Sequence, residues 1–224
     1  MFSDMKTKLR FCVAILLLSV SFSDAQRGGG GGGRGGNRGG NNSAQRDFQA
    51  VKGEFDAWKK VVLESEVLQE LDKENAEGSS ENLYRFLHVA TAEERMSTED
   101  FATLGQDYIK LVLIAQKQGA KSVATKYSEL SEKAQAAAEG ELQVETATLQ
   151  VNRTQMNAQE MLWFGIISKK LSQGKRTTID RKMSALNSAK KKAKSDQKID
   201  EREREKLQEN ASEISEELME ALAS

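Results

Sequence analysis

Acidic side chains crowd two short stretches of the chain: Asp72, Glu74, Asn75 and Glu77 in the first, and Glu93, Glu94, Glu99 and Asp100 in the second. Hard cations take several oxygen ligands gathered on a turn, so both stretches invite a magnesium or calcium reading. In DKENAEGSSENL the glycine falls one place late for an EF-hand loop counted from Asp72, and Leu83 stands where a bidentate Glu belongs. Glu93, Glu94, Glu99 and Asp100 are therefore the better candidate metal ligands. The competing reading is a pair of solvated acidic loops.

Other chemistry is sparse. His88 is the single histidine, set between Leu87 and Val89, and no local pattern supplies it with an acid on one side and a nucleophile on the other. No second histidine accompanies it, nor any cysteine after residue 25, to build a zinc site. The glycine run lacks the following Lys-Ser/Thr of a phosphate-binding loop. The expectation is a protein that is not an enzyme. Asn41, Asn152 and Asn210 each open an N-x-S/T sequon, which makes them candidate glycan sites on exposed surface. Phe86, Phe101, Tyr108, Trp163 and Phe164 could line an apolar ligand site between helices, or simply fill a core. Lys190, Lys191, Lys192 and Lys194 could bind a polyanion weakly.

The elements that must position these residues read as helices. Phe48, Val51, Phe55, Trp58 and Val62 step by three and four, as one face of an amphipathic helix does. A short helix follows with Leu83, Phe86, Leu87 and Ala90 inward. Ser97 to Asp100 is a capping-box pattern opening a helix that Gly119 stops. A long helix is expected from about Ser122 towards Leu149. The next is expected to be capped at Asn157 to Glu160 and stopped at Gly174, and a sixth to be capped at Thr177 to Asp180. The last runs from about Ile199. No segment alternates as a strand, so the fold class is all-α: a bundle of about six to seven helices with a C-terminal hairpin over 177–224, whose narrow stripes suggest a coiled-coil arm.

Composition agrees with this and bounds the rest. The 224 residues contain no proline, one cysteine and 33 basic against 34 acidic side chains, which excludes a disulfide scaffold and argues against a nucleic-acid binder. Residues 1–25 carry a basic start, the apolar run FCVAILLLSV and small residues before Gln26, the pattern of a secretory signal peptide; the run is too short to span a bilayer. Its removal would take Cys12 with it. Residues 26–46 form a Gly/Arg-rich leader, holding ten of the 17 glycines, that is expected to be disordered. The helical domain is then 47–176. Charge is segregated along the chain, with a net of −8 over 47–100, +9 over 169–198 and −6 over 200–220. The basic and acidic ends are expected to pair as neighbouring helices.

Two stretches carry a family likeness. LYRFLHVATAEERMSTEDFATLGQDYIKLVLIAQKQG and KAQAAAEGELQVETATLQVNRTQMNAQEM resemble the helix–loop–helix and alanine-rich segments of the secreted SXP/RAL family of nematode antigens, over about residues 82–172. The family's proline-containing step is absent, Tyr108 stands for a common tryptophan and Met156 for a loop threonine. The resemblance implies a small, strongly antigenic secreted helical bundle with a magnesium- or calcium-binding domain; an extracellular protein partner or self-association is expected besides. Three functions are thus expected in order: a secreted, non-enzymatic binding protein or antigen; a self-associating coiled-coil structural protein; and a carrier of a small apolar ligand. No nucleic-acid partner and no stable membrane insertion are expected.

Overall fold

A computed structural model describes the backbone of residues 40–75, 82–141 and 143–224, with side chains described for 47–72 and, apart from 142, from 82 onward. The expected signal peptide, the leader up to residue 39 and Glu77 lie outside the described residues, as do the side chains of Asn41, Glu74 and Asn75. Among the described residues eight α-helices follow one another: α1 (Gly40–Val62), α2 (Gln69–Asn75), α3 (Leu83–Ala92), α4 (Thr98–Gln118), α5 (Ala124–Ala137), α6 (Leu149–Ile167), α7 (Gln173–Ala193) and α8 (Glu201–Ala223). No strand occurs among the described residues, and the fold is an all-α bundle. None of these helices is long and apolar enough to cross a membrane.

The helices whose apolar residues repeat cleanly form where the repeat places them. Val51, Phe55, Trp58 and Val62 of α1 are all buried on one side. Helix α1 starts at Gly40, however, so the last residues of the expected disordered leader are helical. Helix α4 opens at Ser97, whose Oγ accepts the Asp100 N–H at 3.0 Å, and closes at Gly119 with φ 88°, a backbone angle that glycine adopts without strain.

Helix α6 is the centre of the bundle and packs against α3, α4, α7 and α8. It is buried nearly all round from Gln155 to Gly165, the mark of an interior helix rather than an amphipathic surface one. Its boundaries correct the expectation. Helix α5 stops at Ala137, not near Leu149, because Gly140 runs beside the turn after α3: its N–H donates to the Arg95 carbonyl at 3.0 Å, and a Cβ there would lie 2.7 Å from that oxygen. Helix α6 then begins at Leu149, so Asn157 to Glu160 lies inside it instead of capping it. It ends at Ile167, seven residues before Gly174, with Lys169 in the left-handed region at φ 59°. Glu94 (φ 58°) and Gln197 (φ 64°) close two other turns in the same way without glycine.

Helix α7 is capped by Ser172, which leaves the expected Thr177 cap inside the helix. Helix α8 is capped by Asp200 with a reciprocal bond from Glu203. The pair is not a projecting arm. Residues Ala44–Ser224 form one compact unit, and Leu207, Ala211, Ile214, Leu218 and Leu222 of α8 are buried against α6 and α7. A stripe that is narrow in α8 suffices because α6 presents apolar side chains on its several faces. Charge matching between α7 and α8 is realised at Lys182 and Glu217, 2.5 Å apart.

Candidate functional site

The structure does not assemble a cation site from Glu93, Glu94, Glu99 and Asp100. Each carboxylate is engaged in a different direction. Glu93 pairs with Arg95 at 3.0 Å, Glu99 with Lys191 at 3.0 Å, and Asp100 accepts the Ser97 hydroxyl at 2.6 Å. Glu94 turns inward, its side chain 7% exposed. Its Oε1 accepts bonds from the Thr148 N–H (2.7 Å), the Thr148 hydroxyl (2.6 Å) and Asn152 (3.2 Å), and its Oε2 accepts from Lys194 (3.0 Å). Burial pushes the Glu94 carboxyl up, but these bonds outweigh it and hold the group below the usual carboxylate range. No group of three or more His, Cys, Asp or Glu side chains among the described residues is placed to hold a metal.

The lysine partners of Glu94 and Glu99 come from the basic end of α7. The sequence shows the two clusters separately, one as a metal candidate and one as a polyanion candidate; the fold sets them against each other. Lys191 and Lys194 neutralise Glu99 and Glu94, while Lys192 stays exposed. Lys190 is buried. Its ammonium donates to Asn152 Oδ1 (2.6 Å), Thr98 Oγ1 (3.2 Å) and Gln155 Oε1 (3.2 Å), using all three protons on neutral oxygens. Asn187 completes this seam by accepting from Gln155 (2.6 Å) and Thr98 (3.1 Å). Burial, aided by the positive charge of Lys194, lowers the Lys190 pKa to about 8.

The seam takes Asn152 out of the three glycan candidates. Asn152 is 3% exposed, and the amide nitrogen to which a sugar would be joined donates to Thr91 and Glu94. The early start of α6 is the reason: Asn152 sits in its first turn facing inward. Asn210 lies half-buried on α8. The aromatic group does not line one ligand space either. Phe101 packs on Trp163 (5.5 Å) and Tyr84 (6.2 Å), and Tyr84 packs on Tyr108 (5.4 Å). Phe164 belongs to a second cluster with Phe55 and Trp58, and Phe86 sits under the Arg95 guanidinium. Gly105 admits the Trp163 ring so closely that a Cβ would stand 2.4 Å from it.

Apart from a shallower cleft of about 410 Å³ between α6 and α8, one of about 460 Å³ lies between α1, α3 and α6. Glu160 of α6 lies against its wall, with a side chain only 2% exposed. Its Oε1 accepts the Tyr84 hydroxyl at 2.5 Å, and its Oε2 pairs at 2.6 Å with Lys59 of α1, whose side chain is 28% exposed. Burial and the neighbouring Glu160 charge raise the Tyr84 pKa well above its ordinary value, so the phenol keeps its proton. His88 packs edge-on to Phe101 and beside Tyr84, and burial lowers its pKa despite the pull of Glu160. Its ring nitrogens bond to no described group. Leu63 and Val89 supply apolar wall, and Glu64 and Arg85 add one charge of each sign.

Neither Glu160 nor Lys59 stands out in a reading for chemistry, although a signal exists. Met156, Glu160 and Phe164 are spaced i, i+4, i+8, so the carboxylate interrupts an apolar stripe. Lys190 does the same after Met183 and Leu186. A charge on the buried face must find partners from other elements, and the partners are far away in sequence. Comparison of the chain with protein-family models, with curated proteins and with solved structures gives no match.

Proposed function

We propose that this is a secreted, non-enzymatic helical binding protein whose small-ligand site is the cleft between α1, α3 and α6. The observation that carries the reading is the buried Glu160 carboxylate against an otherwise partly apolar cleft, with His88 alongside offering ring nitrogens that no described group uses. Concave sites of a few hundred cubic ångströms with few, well-placed polar groups are where small molecules bind. The signal-like N-terminus and the likeness to SXP/RAL antigens support an extracellular setting. We place none of the metal binding that this likeness implies at Glu93, Glu94, Glu99 and Asp100, because each carboxylate turns to a separate partner.

The test uses the full chain and a panel of small amphipathic compounds, both neutral and charged, read by ligand-dependent shifts in Tm. Val89→Trp, a substitution at the cleft wall, should abolish the shift that a binding compound gives the unaltered chain. An equal shift in both proteins would place binding elsewhere, and no shift from any compound would overturn the reading. Calcium and magnesium at millimolar concentration are expected to leave Tm unchanged.

A further inference from the structure

Resting on the cleft reading above, we propose that the ligand is a small primary amine with an apolar body, its ammonium taking the place of the Lys59 ammonium on Glu160. Three observations carry this. Glu160 is the most deeply buried charge in the cleft, and Lys59 is its one ion-pair partner among the described residues. Lys59 is the movable half of the pair: it reaches in from α1 on a flexible stem, more than a quarter exposed, and returning its charge to water gives up only the Phe55 ring, 5.5 Å from its ammonium. Tyr84 holds the other carboxylate oxygen from α3, so Glu160 keeps its position while its cation is exchanged.

Charge decides between ligand classes. An anion that drew Lys59 off Glu160 would strip a buried carboxylate of its cation, which is strongly destabilising, and one that turned to the exposed Arg85 would leave Glu160 unused. A neutral alcohol leaves the pair as it is and gains only wall contacts. An amine reproduces the bond that it displaces, and its apolar body lies on Leu63 and Val89. His88, held neutral by its burial, adds no competing positive charge and leaves ring nitrogens for a second polar contact.

The experiment is calorimetric titration of the full chain with 2-phenylethylamine, 2-phenylethanol and 3-phenylpropionate. The amine should bind and the other two should be at least about tenfold weaker. In Lys59→Met, where no resident cation must leave, the amine should bind about tenfold more tightly and raise Tm more than in the unaltered chain. In Glu160→Gln it should bind about tenfold more weakly. Should Glu160→Gln fail to fold, the gain in Lys59→Met decides alone, since a merely structural lysine gives no gain. Equal or better binding of the alcohol or the acid, lost in Val89→Trp, would overturn the amine assignment and leave the cleft reading standing. Unaltered affinity in Lys59→Met would likewise overturn it. Failure of all three probes together with the wider panel overturns both.

Discussion

Glu160 and Lys190 are both buried charges on apolar stripes, and the bundle satisfies them in opposite ways. Glu160 faces a cleft and has an opposite charge on a mobile side chain. Lys190 faces a sealed seam, where three neutral oxygens from α4 and α6 take its protons and no carboxylate of the described residues comes within ion-pair distance. In the first arrangement water or a ligand can replace the partner. In the second nothing can, so the whole set must be kept or lost together. Interchangeability marks Glu160 as the group for binding and Lys190 as the group that docks α7 on the bundle.

The contrast can be broken most strongly at the seam. Asn152→Leu removes the shortest bond to Lys190 and one bond to Glu94, and should lower unfolding stability by about 3 kcal/mol in urea titration. Lys59→Ala should lower it by less, about 2 kcal/mol, because water entering the cleft solvates the freed carboxylate. Equal losses from the two would erase the distinction between open and sealed sites. A third difference lies in pH dependence. The folded Lys190 pKa of about 8 lies below the unfolded value of 10.5, so between these the unfolded chain binds more protons and stability rises with pH. The rise should be at most about 1 kcal/mol per pH unit from pH 8 to about 10 and absent in Lys190→Met. Above that, Tyr84, Tyr108 and Tyr127, kept protonated chiefly by burial, reverse the slope. The smallest effect belongs to the surface: Lys191→Ala, which frees the half-exposed Glu99, should change stability by less than about 0.5 kcal/mol.

The sequence shows the helices better than it shows their meeting points. Helices α1 and α4 are legible because a regular apolar step and a local cap are written within a few residues. The break after Ala137 is not, because it depends on Gly140 lying against the Arg95 carbonyl, a contact between segments far apart along the chain. The end of α6 was masked by Gly174, a glycine that looks like a stop yet lies in the first turn of α7. The acidic and basic clusters were visible as charge, but charge counts do not tell a ligand shell from a pair of mutual partners. Glu94 and Glu99 resemble metal ligands only until Lys194 and Lys191 are set beside them, and Glu93 and Asp100 turn to Arg95 and Ser97 of their own turn.

The three left-handed turns have a practical bearing on making a hardier version of the chain. Glycine relieves the backbone strain that other residues suffer in that region. At Glu94 the exchange would delete four hydrogen bonds, so the strain is outweighed by what the side chain does. Lys169 and Gln197 are exposed and their side chains hold nothing described in place, so the same exchange there should be a gain. Two positions whose side chains line neither cleft nor seam thus offer thermal headroom for engineering, Lys169 farther along the chain from the Lys194 contact than Gln197, whose N–H donates to the Lys194 carbonyl.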